Sequence, residues 1–166
     1  DKDCFPILIK GLQRLEYRGY DSAGVAVFDG TDAIQIKKKK GKVEDLVAFV
    51  GDDVPTGFTG IGHTRWATHG PPNDVNAHPH TARFGRLAMI HNGIIENYES
   101  LRTSLEANGH AFVSDTDTEV LIHLIDEVQS RTNASVTDAV QMALKEVEGA
   151  YACLLYTSDA ADERQS

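Results

Sequence analysis

The segment from Phe58 to Trp66 alternates so regularly that, folded as a strand, it has two unlike faces. Ile61, His63 and Arg65 fall on one side, and Gly60, Gly62, Thr64 and Trp66 on the other. The two glycines invite the close approach of a neighbouring segment. Around this strand lie Gly62-His-Thr-Arg-Trp-Ala-Thr-His-Gly70, Asn76-Ala-His-Pro-His80 and Ile90-His-Asn-Gly-Ile-Ile-Glu-Asn97, which hold five of the 7 histidines and the 1 tryptophan. Most of the remaining chain reads as ordinary apolar periodicity, so the chemistry is concentrated here.

With 166 residues, 41% of them hydrophobic and 25% charged, the chain has the composition of one soluble globular domain. A formal charge of -9 argues against a nucleic-acid or anionic-membrane surface, which needs a net basic face. The run Lys37-Lys-Lys-Lys40 is the exception, and it reads as a solvated strand end beside Gly41 rather than a phosphate site. No apolar run approaches the roughly 18 to 20 residues of a membrane span, and no secretory signal opens the sequence, so the expected location is cytoplasmic. Cys4 and Cys153 form neither a disulfide framework nor a metal-type spacing and are expected to be reduced thiols.

Apolar spacing predicts a helix over 4–16, with Asp3 placed to cap it and Pro6 in its first turn. Val25–Phe28 and Ala33–Ile36 flank Asp29-Gly30 as a hairpin, and a second helix from Val43 is closed by Gly51. Residues 67–82, with three prolines, read as a long binding loop or lid. A buried strand runs from Leu87 to His91 and ends at Asn92-Gly93, followed by a helix closed by Gly109. Thr116-x-x-Glu119 and Ser135-x-x-Asp138 open two further helices, the second ending near Gly149. The hairpins favour a mixed or antiparallel sheet over a doubly wound parallel one.

Arg65 at a strand end can fork onto a carboxylate, and Asp117 could hold an ammonium in the same pocket, a combination suited to an amino acid. Taken alone, Arg65 also reads as a surface ion-pair residue and Asp117 as a first-turn carboxylate favoured by the helix dipole. Asn92-Gly93 could offer an amide side chain and a backbone N–H to a developing oxyanion, yet the same dipeptide is a common tight turn. His63, His69, His78, His80 and His91 raise a histidine-rich metal-binding module, without the His-Glu-x-x-His pattern. Cys4 has no adjacent base in sequence and lies at the first turn of an amphipathic helix, so it reads as a small core residue rather than a nucleophile.

Together, Leu15-Glu-Tyr-Arg-Gly-Tyr-Asp-Ser-Ala-Gly24, the 62–70 and 75–80 segments, His91-Asn-Gly-Ile-Ile-Glu-Asn97 and Ser114-Asp-Thr-Asp-Thr-Glu-Val120 resemble, in order and spacing, the glutaminase domains of glutamine–fructose-6-phosphate aminotransferases (glucosamine-6-phosphate synthases). Tyr17-Arg-Gly-Tyr20 separates this resemblance from the amidophosphoribosyltransferase relatives. It implies an α+β fold, a four-layer αββα sandwich of the N-terminal nucleophile hydrolase type. It implies hydrolysis of L-glutamine through a thioester, with ammonia passing to a sugar-isomerase domain of the same polypeptide that makes glucosamine 6-phosphate. It also implies a homodimeric full enzyme, with no cofactor and no metal. By motif position Arg65 would bind the α-carboxylate, Asp117 the α-amine, and Asn92 with Gly93 would form the oxyanion hole. Trp66, Thr68 and His69 would belong to a loop closing over glutamine, with Arg18 and His78 supporting the pocket.

The sequence departs from that family at both ends. The family's nucleophile is a cysteine exposed as the first residue of a strand such as Cys-Gly-Ile-Val-Gly, its own α-amine serving as base. Here Asp1-Lys-Asp-Cys-Phe5 aligns just after that strand, so the chain is expected to be an incomplete, inactive glutaminase domain over 1–152, its first strand missing. Cys153-Leu-Leu-Tyr-Thr-Ser-Asp-Ala-Ala-Asp-Glu163 resembles a translated transposase-type adapter, so 153–166 is expected to be a non-native tail. The alternative is a non-catalytic protein that binds glutamine through Arg65 and Asp117.

Overall fold

The computed structural model describes residues 2–30 and 34–157. In chain order the elements are α1 (Phe5–Leu15), a 3₁₀ turn (Glu16–Arg18), β1 (Ser22–Phe28), β2 (Ile34–Lys40), α2 (Val43–Val50) and β3 (Thr59–Arg65). Then follow β4 (His80–Thr81), β5 (Leu87–Ile95), α3 (Tyr98–Ala107), α4 (Asp117–Thr132), α5 (Val136–Ala143) and β6 (Gly149–Thr157). The strands form two antiparallel sheets, ordered β2-β1-β3 and β4-β5-β6.

Strand alternation decides what fills each layer. Val25 and Val27 point outward from the first sheet and are covered by Phe5, Ile9 and Leu12 of α1 and by Val43, Leu46 and Val50 of α2. On the second sheet Leu87, Met89 and Ile95 point the other way, against Leu105 of α3, Val120, Leu121, Ile122 and Ile125 of α4, and Ala139 and Ala143 of α5. The intervening residues Ala26, Ile61 and Ala88 face inward and join the sheets through a thinner apolar layer with Ile36, Ile90 and Tyr156. Helices, sheet, sheet, helices: this is the four-layer αββα sandwich. The α4 segment Asp117–Ile125 is buried on all sides because α4 packs on β5 and between α3 and α5.

The bare face of β3 takes α1. A β-carbon on Gly60 would stand 2.9 Å from Leu8 Cδ1 and 3.1 Å from Cys4 Sγ, so the helix closes on the strand where the sequence leaves room for it. Cys4 is accordingly buried in the first layer, its thiol pushed up by that burial, and does not face the space between the sheets.

Several local expectations are corrected. Asp3 does not cap α1; its carboxylate accepts the Gly57 N–H at 2.9 Å, tying the helix start to the segment entering β3. The hairpin strands are longer than expected, each seven residues, with β2 extending through Lys40; the expected strand start at Ala33 lies outside the described residues. Asn92-Gly93 is not a turn, since β5 continues through it to Ile95 against β6. Helix α5 stops at Ala143 rather than near Gly149. Its exit is fixed by Asn97, which donates to Glu146 O at 2.8 Å and accepts from Glu148 N at 3.0 Å, turning the chain into β6. That strand runs on through 153–157, with Leu155 packed on the outer core and Tyr156 on the inner one.

Candidate functional site

At one end of the inter-sheet layer the filling changes from apolar to polar, and a cleft of about 620 Å³ opens. The same alternation that turns Ile61 into the core turns His63 and Arg65 into the cleft wall. Arg65, Trp66, Thr68 and Arg18 line one side; Asn92, Gly93, Asp117 and His78 contribute from the other elements. His69 is not part of the wall proper but lies behind it, its carbonyl on Arg65 and its ring 4.6 Å from the Tyr98 ring.

Arg65 is only 3% exposed. Its Nη2 donates to the carbonyl of His69 and, at 3.5 Å, to that of Gly70, while its buried Nη1 has no hydrogen-bond partner. Burial lowers the guanidinium's pKa against the opposing charges of Asp21 and Asp117. Asp21 holds the other end of the same loop: its carboxylate accepts the Ala67 N–H at 2.5 Å, and its N–H donates to Arg65 O at 2.8 Å. The Trp66 ring, 70% exposed, lies against Gly19 of the 3₁₀ exit and spans the mouth of the cleft.

Asp117 opens α4 and is 3% exposed. One carboxylate oxygen accepts the Ile95 N–H at 3.0 Å and stands 3.5 Å from His69 Nδ1; the other is 3.8 Å from His91 Nδ1. The next residue, Thr118, bridges two imidazoles through one hydroxyl, 2.7 Å from His78 Nε2 and 3.0 Å from His91 Nδ1. Burial first, then the neighbouring His80, His63, Arg65 and His91, keep His78 neutral well below its ordinary range. His91 is also lowered by burial, with Asp117 opposing.

Asn92 projects from β5 with its Oδ1 3.0 Å from His63 Nε2. Gly93 has φ of 121°, a backbone region reserved for glycine, and a β-carbon there would lie 2.2 Å from Ala150 O. Behind the wall, Lys38 reaches from β2 to the carbonyls of Val75 and Ala77, both at 2.9 Å, and so fixes the loop that ends in His78. Burial lowers its ammonium to about 8.

Thus the strand alternation placed Arg65 correctly, and the structure gathers Arg18, Trp66, Thr68, His78, Asn92, Gly93 and Asp117 around the same cleft. The sequence reading misses Asp21, Lys38 and Thr118, although the Tyr20-Asp21-Ser22 and Asp117-Thr118-Glu119 strings carry the first and the last. Among the described residues, no three His, Cys, Asp or Glu side chains form a group that could hold a metal ion, and no helix is long and apolar enough to cross a membrane. Neither Cys4 nor Cys153 lines the cleft.

Residues 52–162 match the family model described as a glutamine amidotransferase domain. The chain is 51% identical over 162 residues to a glutamine–fructose-6-phosphate aminotransferase (isomerizing) of Bacteroides thetaiotaomicron, covering 98% of this chain and 26% of that protein. It is 52% identical over 158 residues to the protein of the same name from Thermus thermophilus, covering 95% and 26%. Among solved structures it resembles the glutamine phosphoribosylpyrophosphate amidotransferase of Bacillus subtilis in complex with ADP and GMP, with a TM-score of 0.77, 30% identity, and coverage of 92% of this chain and 32% of that one. A second solved structure, an allosteric regulatory enzyme of purine biosynthesis, gives 0.78 at 31% identity over 92% of this chain and 33% of that chain. The chain spans about a quarter of the length of the curated relatives it matches.

Proposed function

The chain belongs to the glutamine amidotransferase domain family, and from that premise we propose that its cleft binds L-glutamine and supports hydrolysis of the side-chain amide, releasing ammonia. In the whole protein that ammonia goes to fructose 6-phosphate on a sugar-isomerase domain of the same polypeptide, as the names of its relatives suggest. The observation that carries this reading is the pairing of a buried Arg65, with Nη1 unpartnered, and a buried Asp117 on the walls of one cleft. A zwitterionic amino acid brings the two charges that such walls lack: a carboxylate for the planar fork, an ammonium for the acid.

Each residue then has a task. Arg65 takes the α-carboxylate through the donors that the loop carbonyls leave free, and Asp117, kept in place by Ile95 N–H, takes the α-amine. The Asn92 amide and the Gly93 N–H stabilise the oxygen of the amide carbonyl as negative charge develops on it. Trp66 and Thr68 close the mouth, His69 of the same loop braces Arg65 through its carbonyl, and Arg18 and His78 support the walls. Cys4, the buried N-cap of α1, is not the attacking group; the resemblance implies instead the thiolate of a cysteine at a chain's first position, activated by its own α-amine.

Calorimetry of L-glutamine on this chain tests the binding half. Arg65→Ala and Asp117→Ala are each expected to weaken binding about 10- to 100-fold, as for loss of one charge-assisted contact. Unchanged affinity in both would sink the assignment. The chain preceded by Cys-Gly-Ile-Val-Gly is expected to release ammonia from glutamine. Binding without turnover in that extended chain would favour instead a glutamine-binding domain without chemistry.

A further inference from the structure

We infer that His63 is the positioning residue that turns the Asn92 amide so that its NH2, and not its carbonyl oxygen, faces the cleft. This deepens the glutamine reading and rests on it for its consequence, though not for its geometry. An asparagine side chain has two nearly isosteric orientations, one presenting two donors and the other an acceptor. Only the first can stabilise an oxyanion; the second repels it.

His63 decides between them. Its Nε2 lies 3.0 Å from Asn92 Oδ1, whereas its Nδ1 is buried and has no hydrogen-bond partner. Placing the single imidazole proton on Nδ1 would bury an unpaired N–H and set two lone pairs against each other across the Nε2–Oδ1 contact. The proton therefore belongs on Nε2, which donates to Oδ1 and leaves both amide hydrogens of Asn92 for the cleft. Burial lowers the ring's pKa, with His91 and Arg65 helping and the Asn92 bond opposing, which favours a neutral donor that adds no charge beside the reacting carbonyl. The ring is held from behind by His78, whose centroid is 4.7 Å away and whose own Nε2 is fixed on Thr118.

The bond also crosses between the sheets. His63 sits on β3, two residues before Arg65 and on the same face, while Asn92 sits on β5. One hydrogen bond thus links the strand that carries the anchor for an α-carboxylate to the strand that carries the donor for a side-chain carbonyl.

The test uses the chain itself, ¹⁵N-labelled, with the His63 tautomer and the Asn92 side-chain amide followed by NMR during titration with L-glutamine. The expected result is a proton on His63 Nε2 in the free protein and a glutamine-dependent shift of the Asn92 amide. His63→Gln, whose amide N–H can replace Nε2–H, is expected to keep that shift, and His63→Leu to lose it. In the full-length protein the same pair should separate kcat from KM: about 10- to 100-fold lower kcat in His63→Leu, with KM within about threefold and most of the loss restored in His63→Gln. A proton on Nδ1, or an Asn92 shift in His63→Leu equal to the parent's, would overturn the inference. If glutamine moves nothing in the parent, Arg65 included, the glutamine reading fails, and the tautomer alone then decides whether His63 orients Asn92.

Discussion

Glu119→Ala is expected to lower the stability of the chain by about 3–5 kcal/mol, the cost of removing one member of a buried, fully engaged polar network. Glu119 is 3% exposed, and its two carboxylate oxygens accept Val113 N–H at 3.0 Å, Ser114 N–H at 2.7 Å and Ser114 Oγ–H at 2.5 Å. The Ser114 hydroxyl in turn contacts Thr116, whose oxygen caps α4 by accepting the Glu119 N–H and meets His80 Nε2 at 3.1 Å. Alanine would leave the buried Ser114 N–H and the part-buried Val113 N–H without acceptors and release the segment that delivers Asp117 to the cleft. Glu119→Gln keeps one acceptor and should cost less. Chemical denaturation reads both; an alanine variant within about 0.5 kcal/mol of the parent would contradict the account.

The same residue makes a pH prediction with a definite sign. Burial pushes the Glu119 carboxyl up, but the His123 ring 3.7 Å away and the hydrogen bonds from the Ser114 hydroxyl and the Val113 and Ser114 N–H groups outweigh it and hold it well below its ordinary 4.5. The unfolded chain therefore binds that proton more readily than the native one. The contribution is complete above about pH 4.5 and is lost as the pH falls below it. The buried imidazoles of His78 and His80 act in the same direction from a higher starting point: their native pKa values lie below the ordinary 6.5, so stability begins to fall as the pH drops through that value. Glu119→Ala should flatten the stability curve below about pH 4.5 and leave the decline above it unchanged.

Gly93→Ala is the second large effect, expected to cost about 3 kcal/mol or more. Two penalties add at one atom: φ of 121° excludes an L side chain, and the new β-carbon would lie 2.2 Å from the Ala150 carbonyl. Neither can be relieved by a rotamer change, because the opposing atom is backbone in the β5–β6 ladder. Thermal melts together with amide exchange along β6 would register it. A melting temperature unchanged to within a degree or two would show that the ladder yields at little cost.

Gly93 also marks the limit of what was legible. Asn-Gly reads locally as a tight turn, and the positive φ that a turn demands is present, yet the residue lies inside a strand. What overrides the local preference is pairing with β6, more than fifty residues away in sequence and invisible in any short window. The end of α5 was misplaced for a similar reason, since it is fixed by Asn97 from another element. By contrast α1, α2 and the two faces of β3 were readable because their periodicity alone dictates burial, and Thr116 and Ser135 were readable because a cap acts over three residues. Arg65 followed directly from alternation. Lys38 did not, because a lysine in a run of lysines looks solvated, and only the fold brings the carbonyls of Val75 and Ala77 above it.

Arg65 donates from Nη2 to the carbonyls of residues 69 and 70 and keeps a buried Nη1 without a partner on the cleft wall. A guanidinium shared in this way makes loop order and ligand occupancy one thermodynamic quantity. By reciprocity, whatever free energy a bound carboxylate adds to the ordered loop, a pre-ordered loop returns to the carboxylate in affinity. Substitutions at Asp21, which anchors the loop without lining the cleft, should therefore register as lost affinity at a distance.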